Sequence, residues 1–356
     1  MKQSMRDIIK AFGGWRPIPL LAAFHMYLYF GFYQKYNNCL WVLWKWTLRV
    51  LQPLERLRIK WPTRFMRWVW CAGINTYHGK VMSKDDVTKI LTLDKDVMIG
   101  EDSTRQIIPF KWATDIIFEE PKYIAVMDCC CRQNCSNPPT ERKDMNCCLA
   151  VGKNLTAFWM EHAQNNNVRM ISQQEALDII EYQHSLGSIT TMWGKVGTGS
   201  KTGVICSCRP DVCASLYIQL EASKLKYGGR KIVDSAPSGY LVLRDAEACI
   251  NCGECVSICN FDARTMDDGS PAYEKELCMG CGLCVEHCPQ SALSLYSAYE
   301  ETGLYPLDID LSEGFVAAAR NSGSIRPRTL YPTLREPDKD EPIKGKFTQK
   351  LYGHHS

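Results

Sequence analysis

Cysteines are the residues of this chain whose type and spacing best support chemistry, because thiolates are nucleophiles and strong ligands of soft metals. The sequence holds 19 cysteines, and 17 of them lie between Cys129 and Cys288. Near the C-terminal end of that interval, the spacing C-x2-C-x2-C-x3-C occurs twice. The first run begins at Cys249 and the second at Cys278, a constant offset of 29 residues. This internal repeat predicts two equivalent cofactor-binding loops.

The spacing within each run is the one used to hold a [4Fe–4S] cluster. Three thiolates at two-residue gaps wrap around three corners of a cubane, and Gly253, Gly280 and Gly282 let backbone amides approach the cluster sulfurs. The fourth cysteine of each run lies a helical turn further on and points toward the other cluster. The predicted ligands are Cys249, Cys252, Cys255 and Cys288 for cluster I, and Cys278, Cys281, Cys284 and Cys259 for cluster II.

The segment at about 240–297 resembles the bacterial two-[4Fe–4S] ferredoxins, on the strength of these two runs. The resemblance implies a small α+β domain with pseudo-twofold symmetry that transfers one electron at a time. One departure is that Asn260 follows the fourth cysteine of the first run, where the family usually has proline, while Pro289 keeps the proline in the second run. Two zinc sites are the alternative, although zinc rarely uses three cysteines at two-residue gaps twice over.

A second group of cysteines lies upstream of the two runs. The apolar segments 123–128 and 204–205 predict strands that end at these cysteines. Residues two apart on an extended chain face the same side, so Cys129 is expected to point with Cys131, and Cys130 away from both. The predicted ligands of one or two further iron–sulfur clusters are Cys129, Cys131, Cys135, Cys147, Cys148, Cys206, Cys208 and Cys213.

This upstream region resembles the cysteine-rich C-x-C-R unit that precedes ferredoxin domains in some anaerobe proteins. In that unit C-x-C-R, a C-x-x-P stretch, a C-L pair, a helical spacer and a second C-x-C recur. The matching positions here are Cys129 with Cys131-Arg132, Cys135 with Pro138 and Pro139, Cys148-Leu149, a helix at 172–186, and Cys206 with Cys208. The resemblance implies an extra iron–sulfur centre without naming a reaction. A zinc site and simple buried thiols are the alternatives.

The elements that position these cysteines predict an α+β fold. We expect a ferredoxin-like two-cluster domain joined to a cysteine-rich mixed α/β domain, with an N-terminal helical segment that binds a membrane or a partner. Ser172 and Glu175 form a capping box that begins a helix, and Ser83 begins another. The expected boundaries are 1–75 for the N-terminal segment, 76–238 for the cysteine-rich domain, 239–298 for the two-cluster domain and 299–356 for an extended arm.

The N-terminal segment differs in composition from the rest of the chain. Residues 1–70 carry 12 Lys and Arg against two acidic residues, together with seven of the ten tryptophans. Basic, tryptophan-rich amphipathic helices lie in the bilayer interface, which predicts peripheral or monotopic attachment. The amphipathic stretch 38–52 is expected to be interrupted at Pro53. The uncharged stretch 17–33 would span about 26 Å as a helix. A short span or re-entrant hairpin there, or a partner subunit covering the segment, is the alternative.

Cysteine usage also indicates a compartment. The basic stretch 1–16 is not followed by a small-residue cleavage site of the kind that ends a secretory signal. An odd number of cysteines fits a framework of disulfides poorly. We therefore expect reduced thiols, and a protein on the cytoplasmic face of the cell membrane.

Together these features predict an iron–sulfur electron-transfer subunit. It would pass single electrons between a soluble redox partner and a membrane complex or the quinone pool, as one subunit of a multisubunit oxidoreductase and with no catalytic residues of its own. An enzyme whose upstream cluster reduces a substrate, and a structural or assembly protein, are the alternatives. Basic and aromatic residues in the N-terminal segment could also suit nucleic acid. Binding to nucleic acid is not expected, because nothing links that role to the predicted iron–sulfur centres.

Overall fold

The structure is a computed structural model that describes residues 6, 24, 33–74, 77–99, 116–195, 202–223, 225, 235–302 and 304–307. Most of the uncharged stretch 17–33 and of the C-terminal arm lies outside these residues. Helices and sheets occur together throughout the described chain, which confirms the predicted mixed α and β architecture.

Two N-terminal helices precede the first strand, α1 (Tyr33–Arg56) and α2 (Trp61–Ile74). The expectation that Pro53 interrupts the first helix is wrong, because α1 continues to Arg56. Proline removes only its own N–H donor, and its carbonyl still accepts a hydrogen bond from the Leu57 amide at 3.1 Å. Among the described residues, no helix combines the length and the apolar character needed to cross a bilayer.

The central region is built on a seven-stranded sheet. Among the described residues this region has nine strands, of which seven form this sheet and two form a separate two-stranded sheet. The nine strands are β1 (Tyr77–Met82), β2 (Val97–Ile99), β3 (Ile116–Phe118), β4 (Ile124–Asp128), β5 (Asn146–Val151), β6 (Arg169–Ile171), β7 (Ile189–Lys195), β8 (Thr202–Cys208) and β9 (Ser235–Ala236). The sheet has the order β6-β4-β5-β8-β7-β1-β9, while β2 pairs with β3. Every pair in the sheet is antiparallel except β1 with β9. As a result β4 and β8 end, and β5 and β7 begin, at the same end of the sheet.

Helices cover both faces of this sheet. They are α3 (Lys84–Leu91), α4 (Cys130–Asn134), α5 (Arg142–Met145), α6 (Lys153–His162), α7 (Gln173–Ser185) and α8 (Ala214–Ser223). The predicted N-caps are confirmed: the Ser83 hydroxyl accepts the Asp86 amide hydrogen at 3.2 Å, and the Ser172 hydroxyl accepts that of Glu175 at 3.1 Å. These caps satisfy amides that would otherwise lack a partner at a helix start.

Alternation along the strands separates two cores. In β4, Ile124 and Val126 enter a core beneath α3 and α7, whereas Ala125 and Met127 enter a second core beneath α6. The second core also contains cysteines from the end of β4 and the start of β5. Successive strand residues point to opposite faces, so one face of the sheet becomes aliphatic and the other rich in thiols.

The region after β9 folds as a repeat. Its elements are β10 (Tyr240–Arg244), α9 (Glu254–Ser257), β11 (Arg264–Asp267), β12 (Ser270–Tyr273), α10 (Leu283–Glu286), β13 (Leu293–Ser297) and α11 (Tyr299–Thr302). Strand β10 pairs with β13, and β11 pairs with β12. The helix of the first half begins at Glu254 and that of the second at Leu283, which is the 29-residue offset of the sequence repeat.

Backbone conformation repeats at the same offset. Asn251 and Gly280 have φ angles of 56° and 65°, and Gly253 and Gly282 have φ angles of 79° and 86°. These left-handed residues turn the chain sharply within each cysteine run, a conformation that glycine adopts without steric cost. The two halves of the domain therefore share one backbone template.

Candidate iron–sulfur sites

The first thiol set lines a pocket at the protein surface. Cys249, Cys252, Cys255 and Cys288 all border it, so the first run is joined there by the last cysteine of the second run. The pocket encloses about 360 Å³, part of which is open to solvent. Gly253, at a φ of 79°, also lines it and brings the backbone close.

Backbone amides approach the sulfurs of both sets. The Ala292 amide donates to Cys288 Sγ at 3.3 Å, and the Gly280 amide donates to Cys278 Sγ at 3.4 Å. Hydrogen bonds of this kind stabilise thiolate ligands and tune the metal they hold. The Gly280 contact agrees with the predicted role of this glycine, which is to let a backbone amide approach a cluster ligand.

The second thiol set is less accessible. Cys259, Cys278 and Cys284 lie close enough to Cys281 to raise the pKa of its thiol, which burial raises first. Burial likewise raises the pKa of Cys284, to about 12. Deprotonating these thiols therefore needs a cation nearby, such as a bound metal.

Arg264 supplies one cation beside these sulfurs. It is 3% exposed, and its two buried terminal nitrogens have no hydrogen-bond partner other than the Cys284 thiol. The Tyr273 ring lies 4.5 Å from the guanidinium carbon, and the Tyr273 hydroxyl accepts the Val242 amide at 3.2 Å. A buried guanidinium with unused N–H donors fits an anionic cofactor between the thiol sets, so the donor set suits iron–sulfur clusters.

The second half of the repeat packs against the end of the sheet where β8 ends. Phe261, Met279 and Leu283 form one buried cluster with Cys208 and Cys213 of the upstream region. The two thiol-rich regions are therefore in direct apolar contact.

Asn260, which departs from the ferredoxin pattern, contributes a polar contact to this packing. Its side-chain amide donates to the Gly187 carbonyl at 2.9 Å. A proline at this position could not make this bond, because it has no side-chain donor. The departure therefore ties the two regions together.

His287, inside the second run, bonds to the carbonyl of Leu283 at 2.9 Å through Nδ1. The ring therefore bonds to the backbone of its own helix.

The upstream cysteines converge on that same end of the sheet. Cys148 in β5 lies directly opposite Cys206 in β8, and their sulfurs are 3.9 Å apart. Cys206 and Cys208 both lie in β8, as the extended-chain argument requires. That argument is wrong for Cys129 and Cys131, because β4 ends at Asp128 and helix α4 begins at Cys130.

Hydrogen bonds nevertheless link the upstream thiols into one group. Those from Cys131, Cys147 and Cys148 hold the pKa of Cys129 well below its ordinary value. Cys131 in turn is hydrogen-bonded to Cys130 and Cys213, and Cys213 is hydrogen-bonded to Cys208. We call the connected set the upstream thiol group; its members are Cys129, Cys130, Cys131, Cys147, Cys148, Cys206, Cys208 and Cys213.

Two cysteines take places that the sequence did not suggest. Cys130, which was expected to face away, is fully buried and belongs to the upstream thiol group through Cys131. Cys135, a predicted ligand, donates its thiol hydrogen to the Arg132 carbonyl at 3.2 Å and packs beside Trp41. No sequence signal separates these two roles, because the helix that begins at Cys130 changes the direction of each side chain.

Arg132 lies beneath the upstream thiol group. It is 1% exposed and donates to Gln183 Oε1 at 2.7 Å and to the Ser207 carbonyl at 3.1 Å. Burial opposes its charge, yet the thiols of Cys147 and Cys129 raise the pKa of the guanidinium. No carboxylate lies within ion-pair distance of it in the part of the chain that the structure describes. A buried cation surrounded by thiols favours an anionic centre there.

Within the described ranges, no three or more His, Cys, Asp or Glu side chains surround a position suited to a single metal ion.

The repeat fold and its two thiol sets define the class of the C-terminal region as a ferredoxin-type iron–sulfur domain. Residues 241–289 match the family model of the 4Fe-4S dicluster domain, which confirms the predicted iron–sulfur chemistry and, in general terms, electron transfer. No curated protein matches the chain. The matched segment begins at residue 241 and therefore does not include the upstream thiol group.

Proposed function

We propose that this protein is an iron–sulfur electron-transfer subunit of a membrane-associated oxidoreductase complex. It passes single electrons between a soluble redox partner and a membrane complex or the quinone pool, on the cytoplasmic face of the membrane. The observation that carries the proposal is the order of the three thiol sites. The first set includes the exposed Cys252, whereas all four cysteines of the second set are half-buried. Two of these, Cys259 and Cys281, pack against the cluster that contains Cys208 and Cys213 of the upstream thiol group.

The two ends of this series face different surroundings. Cys252 of the first set is exposed, so a soluble partner can approach that cluster. At the other end, Cys131 of the upstream thiol group packs in a cluster with Trp41 of helix α1. Iron–sulfur clusters, where bound, supply the one-electron redox chemistry. The chain holds their thiolates, limits the access of water to the half-buried second set and separates the two docking surfaces.

Helix α1 is suited to the membrane side because its two faces differ. Leu48 and Leu51 pack on Ile218 of α8, whereas Trp46 on the opposite face is 63% exposed. The other large apolar side chains exposed on α1, α2 and their connection are Val42, Leu43, Val50, Leu57, Ile59, Trp61, Phe65, Trp68 and Val69. Exposed apolar side chains in this number on two consecutive helices favour a membrane or protein interaction surface.

Charge favours the membrane over an apolar protein surface. Arg49, Arg56 and Arg58 are exposed along the same helix and its end. Cations beside an aromatic, apolar face suit the anionic lipids of the cytoplasmic leaflet, at about 1 kcal/mol for each well-placed Lys or Arg. The two helices therefore support interfacial attachment, with α1 as the link between lipid and the upstream thiol group.

Metal analysis of anaerobically purified protein tests the electron-transfer assignment. About 8 iron atoms per chain would mean the ferredoxin-type pair alone, about 12 one further cubane and about 16 two more. We expect more than 8, with matching sulfide and EPR signals that titrate reversibly. Colourless protein with zinc or free thiols would contradict the proposal. An upstream EPR signal that changes on adding cyanide would instead favour the substrate-reducing enzyme.

Vesicle flotation tests the membrane assignment. Wild-type protein should float with phosphatidylserine-containing vesicles and much less with phosphatidylcholine alone. Trp46→Glu should weaken flotation, because it places a charge in the apolar face. Met170→Glu is the matched control, since Met170 is an exposed apolar residue of β6 outside the two helices. Equal flotation of both variants and wild type would contradict interfacial attachment through α1.

A further inference from the structure

Arg264 occupies a position that calls for a negative partner. It is buried at the start of β11, and its terminal nitrogens have no hydrogen-bond partner other than the Cys284 thiol. Only one face of the guanidinium is accounted for, by the Tyr273 ring at 4.5 Å. No carboxylate of the described residues pairs with it. A buried cation with unused donors is costly unless an anion lies within reach.

The charge of Arg264 acts on both thiol sets of the ferredoxin-type domain. Burial raises the pKa of Cys255 in the first set, and Arg264 opposes that increase. Burial also raises the pKa of Cys278 and Cys284 in the second set, and Arg264 again acts in the opposite direction. A single cation therefore lies near ligands of both predicted clusters.

The internal repeat shows that the fold itself does not need an arginine here. Leu293 follows Arg264 by the 29-residue offset, starts strand β13 as Arg264 starts β11, and is 6% exposed. The same backbone position thus accepts an aliphatic side chain in one half of the domain. Arg264 breaks the pseudo-twofold symmetry in charge while leaving it intact in shape.

We propose that Arg264 is the shared counter-charge of the two ferredoxin-type clusters, a positioning residue that raises both reduction potentials and eases double reduction. The inference rests on the proposed function, because it concerns clusters bound at the two thiol sets. On reduction each cluster gains one electron from the redox partner, with no bond made or broken, and its negative charge grows by one unit. A cation near both clusters stabilises the added charge on each of them, so it makes both reductions more favourable.

An anaerobic EPR redox titration of full-length Arg264→Leu, which copies the residue of the second half, tests this role. Both ferredoxin-type potentials should become more negative than in the wild type. At a fixed ambient potential we expect the ratio of reduced to oxidised cluster to fall about tenfold, which is 59 mV for a one-electron couple. Unchanged potentials in protein with a full iron content would overturn the inference.

Three further variants separate charge from packing. Arg264→Lys keeps the charge and should restore most of the shift, whereas Arg264→Gln should behave like Arg264→Leu. Arg169→Leu is the matched control: Arg169 lies in β6, outside the ferredoxin-type domain, and donates to Glu175 Oε1 at 2.5 Å, so its loss should leave both potentials unchanged.

Two results distinguish this inference from the proposed function. If Arg264→Leu and Arg264→Gln lose iron while Arg264→Lys keeps clusters at wild-type potentials, the charge is required and the inference holds. Iron loss in all three variants would assign Arg264 a packing role and overturn it. Wild-type protein without iron would refute the proposed function instead.

Discussion

The two cysteine runs share a backbone but not an environment. Ile250 in the first run is 60% exposed, while its counterpart in the second run, Met279, is 1% exposed. Glu254 opens the first short helix on the surface, while Leu283 opens the second and is 1% exposed in the contact with the sheet. Identical spacing therefore produces one site that faces solvent and one that faces the rest of the chain.

This difference suggests that the two sites would exchange electrons with different partners. The local sequence sets how each run wraps its ligands, while neighbouring side chains decide who can exchange electrons with it. A cluster held by the first set would be open to a diffusing partner, and one held by the half-buried second set would lie beside the upstream thiol group. Exchanging residues between equivalent positions of the two runs tests that interpretation directly.

The largest effect is expected from Gly280→Asn, which copies Asn251 of the first run into the second. Both positions have left-handed backbone, but a Cβ at Gly280 would collide with Ser238 Oγ and the Tyr240 carbonyl oxygen. We expect loss of the second cluster, measured as a fall of about 4 iron atoms per chain. The reverse change, Asn251→Gly, should keep all iron and alter stability by about 1 kcal/mol or less. Full iron in Gly280→Asn would show that the packing around the second run is not needed.

Lys80 and Asp86 should come next, because both side chains are fully buried and each affects the charge of the other. The Lys80 ammonium donates to the Tyr305 carbonyl at 2.8 Å, and Asp86 accepts the Tyr240 hydroxyl at 3.2 Å. Lys80→Met or Asp86→Leu alone should destabilise the protein by about 3–5 kcal/mol, whereas the double variant should be near wild type. Denaturation of the anaerobic holoprotein measures this. Equal losses in the single and double variants would contradict the pairing.

The same pair predicts a pH dependence. Burial lowers the pKa of Lys80 to about 7 and raises that of Asp86 to about 7. Between 3.8 and about 7 the native state holds more protons on Asp86 than the unfolded state, so stability falls as pH rises. Between about 7 and 10.5 it holds fewer on Lys80, so stability rises again. A minimum near pH 7 that disappears in the double variant is expected; a flat difference between the two proteins would refute it.

Truncating the first residue of each short helix should lower stability by different amounts, because only one of the two residues is buried. Leu283→Ala should cost about 2–5 kcal/mol, because it leaves a cavity in the contact with the sheet. Glu254→Ala should change stability by about 0.5 kcal/mol or less, as expected for a surface substitution. Denaturation midpoints of the two variants measure the difference. Similar midpoints would mean that the second run is not held by this contact.

The smallest effect is expected at Asn260, whose amide reaches Gly187 across the contact. Asn260→Ala should cost about 1 kcal/mol, the usual net value of one hydrogen bond. Asn260→Asp is a more demanding variant, because a carboxylate facing a carbonyl oxygen is repelled. Stabilities in the order wild type, Ala, Asp are expected; an Asp variant as stable as wild type would exclude this bond.

Local sequence was sufficient for the ferredoxin-type domain, its two cysteine runs and the capped helices that begin after Ser83 and Ser172. These features depend on residues a few positions apart, so spacing and residue type carry the information. The predicted pairing of the first run with Cys288 stays a prediction, and the four thiols share one pocket. The upstream ligands were harder to predict, because the argument for Cys129 and Cys131 assumed an extended chain where α4 begins.

Contacts between distant residues were decided by the tertiary structure alone. Strand register brings Cys148 to Cys206, which are 58 residues apart, and a helix start brings Cys130 rather than Cys135 into the upstream thiol group. Packing likewise buries Met279 and Leu283 of the second run, while Ile250 and Glu254 at the equivalent positions of the first run stay exposed. The physical reason is that thiolate spacing around a cluster is a local property of the chain. Burial, buried counter-charges and strand register arise only when remote segments pack together.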